Sequence, residues 1–224
     1  MATSRSRPPS ATRSGCSETP SIVTNETGRR SLRAEHVAAT RRALLDVARD
    51  RFGTQGFAAT SVDEIVGDAG VTKGALYHHF TSKEHLFDCV FDEVETELAD
   101  RGMRAALKGP GDPLAALNRG FSSFLDAAME PDVQRIVLLD APSVLGVERF
   151  DEIVRARTLG NVIAALELAV TARAVPRVDV ESLAQLLLGA CTQAGMVIAR
   201  SANPKRTRRV VGTTLKTLID GLAR

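Results

Sequence analysis

The chain has 224 residues, of which 44% are hydrophobic, 25% are charged and only 4% are aromatic, the balance of an ordinary globular protein. A net charge of +2 excludes a generic polycation, so any affinity for nucleic acid must come from locally placed charge. Three widely spaced cysteines (Cys16, Cys89 and Cys191) exclude a disulfide framework and a zinc cluster. The sequence has no run of about 18 apolar residues, so we expect no membrane span.

The first segment, residues 1–32, is rich in Ser, Thr, Arg and Pro and lacks the apolar core of a secretory signal. We expect it to be a disordered basic tail on a cytoplasmic protein. Its arginines either contact DNA phosphates or belong to a tail that is merely solvated, and the composition is compatible with both.

Ordered structure is expected to begin near residue 33, with a first helix over about 35–52. Leu44, Ala48 and Phe52 recur every fourth residue, which places them in one apolar stripe of that helix. Gly53 and Gly56 follow, and glycine is the usual residue where a helix ends.

Two short helices follow. Ser61 and Glu64 have the spacing of a capping box, which predicts a helix from Ser61 to about Ala69. Thr72 is a second helix-capping residue and opens a very short helix that ends before Phe80. A longer helix then starts at about Ser82, so that the pattern predicts a helix-turn-helix over residues 61–80 within a DNA-binding unit of residues 33–98.

A major groove about 12 Å wide admits one helix that presents small or polar side chains. Lys73 is the candidate for a guanine edge, Gly74 and Ala75 allow close approach, and Ala75 suits a thymine methyl group. Ser61, Thr72 and Lys83 are candidates for phosphate contacts, as are the polar tips of Tyr77 and His78.

Each of these assignments has a structural alternative. Ser61 and Thr72 cap helices whether or not they bind DNA, Tyr77 suits a half-buried position, and Lys83 suits a solvated surface. The pair His78–His79 does not predict a metal site, because neighbouring residues on a helix point about 100° apart and no carboxylate follows at the required spacing.

The stretch of residues 44–86 resembles the DNA-binding domain of the TetR/AcrR family of repressors. The resemblance is carried by Phe52-Gly53, Gly56-Phe57, Ala69-Gly70-Val71, Leu76-Tyr77 and Lys83, among others. It implies an all-α homodimer of about nine helices that dimerises through its last two helices and is released from DNA by a small molecule. Carried over by position, it implies DNA contacts from Thr60, Ser61, Thr72, Lys73, Gly74, Tyr77, His78 and Lys83. Gly67 departs from the family pattern, where a larger residue is common.

Residues 99–224 are expected to form a helical domain for effector binding and dimerisation. They contain no catalytic, cofactor or metal motif, so we expect neither an enzyme nor a cofactor. An apolar cavity for an aliphatic or flat hydrophobic effector is one interpretation of this half, and an ordinary packed core is the other. The cavity candidates are Phe121, Phe124, Leu125, Leu138, Asp140, Phe150 and Met196. Asp140 alternatively caps a helix or neutralises an arginine.

The last two predicted helices each carry an apolar stripe, and two such helices from each subunit make a four-helix dimer interface. The interface candidates are Leu183, Leu187, Ala190, Ala194, Leu215 and Leu218. A two-fold dimer implies a near-palindromic DNA operator. A ligand-responsive repressor is the favoured function, and an activator with the same DNA-binding unit or a helical small-molecule-binding module are the alternatives.

Overall fold

The computed structural model describes residues 24–109 and 111–223, and all regular structure in these ranges is helical. The predicted all-α fold is therefore confirmed. With π-helical turns counted within longer helices, the described ranges contain nine helices. They are α1 (Thr24–Gln55), α2 (Val62–Asp68), α3 (Lys73–His79), α4 (Lys83–Ala106), α5 (Pro113–Ala127), α6 (131–144), α7 (146–171), α8 (Val180–Ala199) and α9 (Pro204–Asp220).

The N-terminal boundary differs from the prediction. Helix α1 begins at Thr24, so the expected tail of residues 1–32 is too long. The last proline before the helix is Pro20, and the segment Thr24–Gln55 contains no proline, so every residue in it has the backbone N–H that a helix extending beyond the apolar stripe needs. The rest of the predicted tail lies outside the described residues. Residues 24–38 form the first turns of α1, and residues 39–223 form the compact unit described below.

Local side-chain bonds begin the short helices where the sequence predicts them. The Ser61 hydroxyl accepts from the Glu64 amide at 3.2 Å, and the Glu64 carboxylate accepts from the Ser61 amide at 2.8 Å, which completes the capping box. Thr72 caps α3 by accepting from the Ala75 amide at 3.2 Å. Gly70 lies between the two helices with φ +65°, a conformation that favours glycine.

Helix α4 continues to Ala106, through the domain boundary expected at residue 98. A Cβ atom placed on Gly102 would lie 3.8 Å from the Gly120 carbonyl oxygen, and one on Gly120 would lie 3.5 Å from the Gly102 carbonyl oxygen. The two glycines thus let α4 and α5 approach closely.

Helices α6 and α7 each contain a π-helical turn, at Gln134–Asp140 and Arg155–Leu159 respectively. In the first, the Ala141 amide donates to the Ile136 carbonyl, one residue beyond the α-helical partner. A proline ring inside an α-helix clashes with the carbonyl four residues before it, so the wider turn directly before Pro142 lets the helix continue.

Helix α8 is apolar enough, with a mean hydropathy of 1.5, to pass the length and composition test for a membrane span. In the fold it packs against α5, α6, α7 and α9. Ala184, Leu187, Cys191 and Ile198 face this core. The same helix leaves a second apolar face exposed, at Leu186 and Val197.

Two polar side chains are buried among the described residues, Thr60 and Glu95. The Thr60 hydroxyl donates to the Gly56 carbonyl oxygen at 2.8 Å. Glu95 on α4 is only 4% exposed, and no hydrogen bond or ion pair to its carboxyl is present in the described structure. Burial, with repulsion from Asp92 as a smaller cause, raises the pKa of Glu95 to about 7.

Replacement of Gly67 tests the helix α2 directly. A Cβ atom at this exposed helical position meets no atom within 4 Å, so Gly67→Ala only removes backbone freedom from the unfolded chain. We expect an increase of about 0.5–1 kcal/mol in the free energy of unfolding, measured by urea denaturation. Gly56→Ala is the contrasting control, since φ +86° and the Arg135 side chain oppose a Cβ there. A destabilised Gly67→Ala would contradict this account of α2.

The buried Glu95 predicts a pH dependence of stability. Its folded pKa of about 7 lies above the value of 4.5 for an unperturbed glutamate, so folding favours the protonated form. Stability from this group is therefore full below pH 4.5 and is lost as the pH rises through 7. We expect Glu95→Gln to match the native protein at low pH and to exceed it by up to about 3 kcal/mol at pH 8. Parallel pH profiles in urea unfolding would disprove the assignment.

Candidate nucleic-acid interface and ligand cavity

Helix α3 separates anchoring residues from exposed ones. Leu76 and Phe80 are buried in the core, whereas Thr72, Lys73, Gly74, Tyr77 and His78 are exposed, Tyr77 by 52%. Ala75 is half-buried. The exposed residues form one continuous surface, here called the reading surface, because residues three and four apart share a helix face. Helix α3 has only seven residues, and Gly74 near its start has no side chain. Both features suit a helix that enters a DNA groove.

Lys73 is the cation of the reading surface, and its ammonium group pairs with the Asp63 carboxylate of α2 at 2.8 Å. The hydrogen bond to Asp63 raises the pKa of Lys73, so the side chain stays charged. Both partners are mostly exposed, and exposed pairs of this kind contribute little stability. The ion pair is thus an arrangement that a polyanion with several phosphates can displace.

Lys83 lies at the start of α4 and turns toward the loop that precedes α2. Its ammonium group donates to the carbonyl oxygens of Phe57 at 2.9 Å and Thr60 at 2.8 Å, and it lies 4.1 Å from the centre of the Phe57 ring. Two of its three N–H donors are therefore used within the protein. These two hydrogen bonds fix the loop of residues 57–60, and the phosphate contact expected of Lys83 stays a prediction.

Thr60 does not belong to the exposed set. Its side chain is 1% exposed and its hydroxyl is bonded inside the loop, so the expected DNA contact from this side chain is wrong. Ser61, by contrast, is exposed at the N-terminus of α2, with its hydroxyl donating to the Glu64 carboxylate at 2.8 Å. The local signal that distinguishes them is the capping box, in which only Ser61 takes part.

A cavity of about 260 Å³ lies among α4, α5, α6, α7 and α8. Of the predicted cavity residues, Phe121, Phe124 and Phe150 line it. Val137 and Thr158, one from each π-helical turn, line it as well, and such turns are often found at functional sites. Glu95 lies on its wall and is the buried acid that the sequence interpretation missed. Its spacing of four residues from Phe91 on α4 is the signal that could have identified it.

Four predicted cavity residues lie elsewhere. Leu138 is buried in the core, where its side chain lies close to Gly195 of α8. Leu125 faces a second depression between α5 and α9. Met196 packs at the edge of the core and does not line the cavity. For these three residues, the apolar periodicity of the sequence predicts that the side chain turns inward. It does not predict whether that side chain lines a cavity.

Asp140 is the fourth, and the structure gives it a different role. Its carboxylate accepts from the Phe57 amide at 2.7 Å and lies 3.5 Å from the Arg135 guanidinium. Arg135 also donates to the Gln55 carbonyl oxygen at 3.2 Å. Asp140 therefore joins the end of the π-helical turn in α6 to the loop before α2, and one of the predicted alternatives, an acid beside an arginine, describes it better than a ligand contact.

The outer faces of α8 and α9 carry exposed apolar side chains. Leu186 is 72% exposed and Leu218 is 51% exposed, while Leu183, Ala190 and Ala194 are half-buried. Two predicted interface residues, Leu187 and Leu215, are buried within the subunit and are corrected to core positions. We give the name outer stripe to the exposed and half-buried residues of this face, which are Leu183, Leu186, Ala190, Ala194 and Leu218.

Two family models match the chain. Residues 44–90 match the model of bacterial regulatory proteins of the tetR family, and residues 114–222 match the tetracyclin repressor-like C-terminal domain. The matches include the helix-turn-helix, the cavity-lining α5 and the outer stripe. Together they cover well over half of the chain.

Individual proteins agree with these models. The chain is 35% identical over 99 residues to the transcriptional regulator AcrR of Shigella flexneri, which is 44% of this chain and 46% of that protein. It is 32% identical over 107 residues to the transcriptional repressor KstR2 of Mycobacterium tuberculosis, covering 48% and 53% of the two chains. The chain thus spans about half the length of these relatives.

A solved structure matches over a greater length. The crystal structure of a TetR-family transcriptional regulator from Pectobacterium atrosepticum superposes with a TM-score of 0.74 at 28% identity, and the match covers 84% of this chain and 96% of that one. A match of this coverage extends over both the DNA-binding unit and the helical C-terminal half. Given this fold, the reading surface, the cavity and both family models, the chain belongs to the TetR/AcrR family.

Proposed function

We propose that the protein is a transcriptional repressor that binds a near-palindromic operator as a homodimer and is released by a small effector in the cavity. The observation that carries the proposal is α3, which is anchored by Leu76 and Phe80 and presents Lys73, Gly74 and Tyr77 outward. The similarity to AcrR, a regulator, and KstR2, a repressor, supports the same activity.

On this proposal, different residues of the reading surface contact the bases and the backbone of the DNA. Lys73 exchanges its Asp63 partner for a base edge or phosphate, while Gly74 and Ala75 allow the backbone of α3 to enter the groove. Ser61, Thr72, Tyr77 and His78 contact the DNA backbone and fix the register. Lys83 acts as a positioning residue through Phe57 and the start of α2.

The route from cavity to DNA runs through the π-helical turn of α6. Val137 in this turn lines the cavity, and Asp140 at its end bonds the Phe57 amide in the loop before α2. A ligand that displaces Val137 therefore acts on the loop that carries Ser61 and α2. An effector acts only to the extent that it binds one arrangement of this turn better than the other.

Lys73→Ala tests the reading surface. The operator is first obtained by selection of bound sequences from random DNA with the purified protein, and affinity is then measured by fluorescence anisotropy across a salt series. We expect Lys73→Ala to lose about 1–3 kcal/mol of specific binding because it removes the cation of α3.

Two variants serve as controls for this measurement. Asp63→Asn leaves Lys73 free and removes a carboxylate near the DNA, so its binding should equal or exceed that of the native protein. Lys108→Ala removes an exposed lysine beyond α4 and should leave affinity unchanged. If Lys73→Ala and Lys108→Ala have the same affinity and salt dependence as the native protein, α3 does not contact the operator.

The outer stripe gives a separate test of dimerisation. We expect Leu186→Glu to convert a dimer to a monomer at micromolar concentration in sedimentation velocity, since it places a charge in an apolar interface. Val147→Glu makes the same change at an exposed apolar position of α7 and should leave the dimer intact. A native protein that sediments as a monomer, or a dimer that survives Leu186→Glu, would refute the interface.

A further inference from the structure

The cavity wall is mostly apolar, and the ionisable groups that the described residues place on it include an acid but no base. Among the described residues that line it there is one carboxylic acid, Glu95, and no lysine, arginine or histidine. The other ionisable group, the Cys191 thiol, is buried, and burial raises its pKa so that it stays neutral. Any charge that develops inside the cavity is therefore negative.

Glu95 is also a polar group without a partner. It is 4% exposed, and no donor in the described structure hydrogen-bonds to its carboxyl. A buried polar group without a hydrogen bond is costly, and such groups are uncommon in folded proteins. Since the carboxyl lies on the wall of a cavity, the missing donor is one that a ligand can supply.

We propose that the cavity binds a small lipophilic amine, whose ammonium group donates hydrogen bonds to the Glu95 carboxylate. This inference rests on the proposed function for the role of the ligand as an effector, but not for the binding itself. A carboxylic acid ligand would face Glu95 without a counter-charge. A purely apolar ligand would leave the Glu95 carboxyl unsatisfied.

Size and access restrict the ligand further. A volume of about 260 Å³ lies just below the usual range for ligand pockets, which favours one ring with a short chain. Leu107 and Leu168 are lining residues that are also exposed, so the cavity reaches the surface. Phe121, Phe124 and Phe150 supply aromatic surface for the apolar part of the ligand.

The raised pKa of Glu95 is compatible with the binding of an amine. Burial raises its pKa to about 7, so the empty cavity holds the carboxyl partly protonated at neutral pH. An ammonium group at hydrogen-bond distance favours the carboxylate and pairs with it inside an apolar wall, where a charge-assisted hydrogen bond is strong.

Three ligands of nearly equal size test the proposal by isothermal titration calorimetry at pH 8. They are 4-phenylbutylamine, 4-phenylbutan-1-ol and 4-phenylbutanoate, which differ in the charge of the terminal group. We expect the amine to bind at least about tenfold more tightly than the alcohol, which is about 1.4 kcal/mol, and the carboxylate to bind more weakly than both. Equal affinities for amine and alcohol in the native protein would overturn the proposal without any variant.

Glu95→Gln then identifies the group. It keeps the shape of the side chain and removes its charge, so the preference for the amine over the alcohol should disappear while the alcohol affinity changes less than about threefold. Glu167→Gln makes the same change at an exposed position of α7 outside the cavity and should keep the native preference. A preference that survives Glu95→Gln would show that the amine binds elsewhere.

Operator binding by the same preparations separates this inference from the proposed function. A protein that binds operator DNA and lacks the amine preference contradicts only the inference. A protein that prefers the amine and binds no DNA contradicts only the proposed function.

Discussion

Phe57, in the loop before α2, is in contact with three helices, α1, α4 and α6. Its amide donates to Asp140 of α6 at 2.7 Å, and its carbonyl oxygen accepts from Lys83 of α4 at 2.9 Å. Its ring lies 5.7 Å from that of Phe52 and 5.2 Å from that of Phe87, centre to centre. Backbone and side chain of one loop residue are thus fixed by three helices, and the position of α2, and through it α3, depends on all of these contacts.

The local features of the DNA-binding unit could be predicted from the sequence because their causes are local. The capping box needs only Ser61 and Glu64, and the turn between helices needs only Gly70. The anchors Leu76 and Phe80 follow from helical periodicity. The family resemblance rested on these same positions, and for that reason it was correct about the fold.

The contacts of Phe57 could not be predicted in this way. Asp140 lies 83 positions away along the chain and Lys83 lies 26 away, and no periodicity encodes such pairs. Read alone, Asp140 resembled a ligand group and Lys83 a phosphate contact, since both are charged residues at the edges of helices. In the fold, the Asp140 carboxylate accepts from the amide of the half-buried Phe57, and the Lys83 ammonium group donates to the Phe57 and Thr60 carbonyl oxygens.

Helix α8 shows a second limit of sequence patterns. Adjacent leucines 186 and 187 both fit an apolar stripe, yet Leu187 lies in the core and Leu186 is exposed. A helix with apolar residues on two faces gives a broad stripe, and only the packing against α5, α6, α7 and α9 decides which face turns inward. The exposed face that remains is as important as the buried one, because an apolar surface left by folding favours contact with a second surface.

The π-helical turn of α6 brings these constraints together. It is the place where a wall of the cavity, at Val137, and a bond to the DNA-binding unit, at Asp140, belong to the same turn of backbone. A π-helical turn holds one more residue than an α-helical turn, so a change to α-helical register must rotate the residues on one side of it relative to the other. On the proposed function, a ligand that binds one register of this turn better than another shifts the Asp140–Phe57 hydrogen bond by the free energy of that difference in affinity.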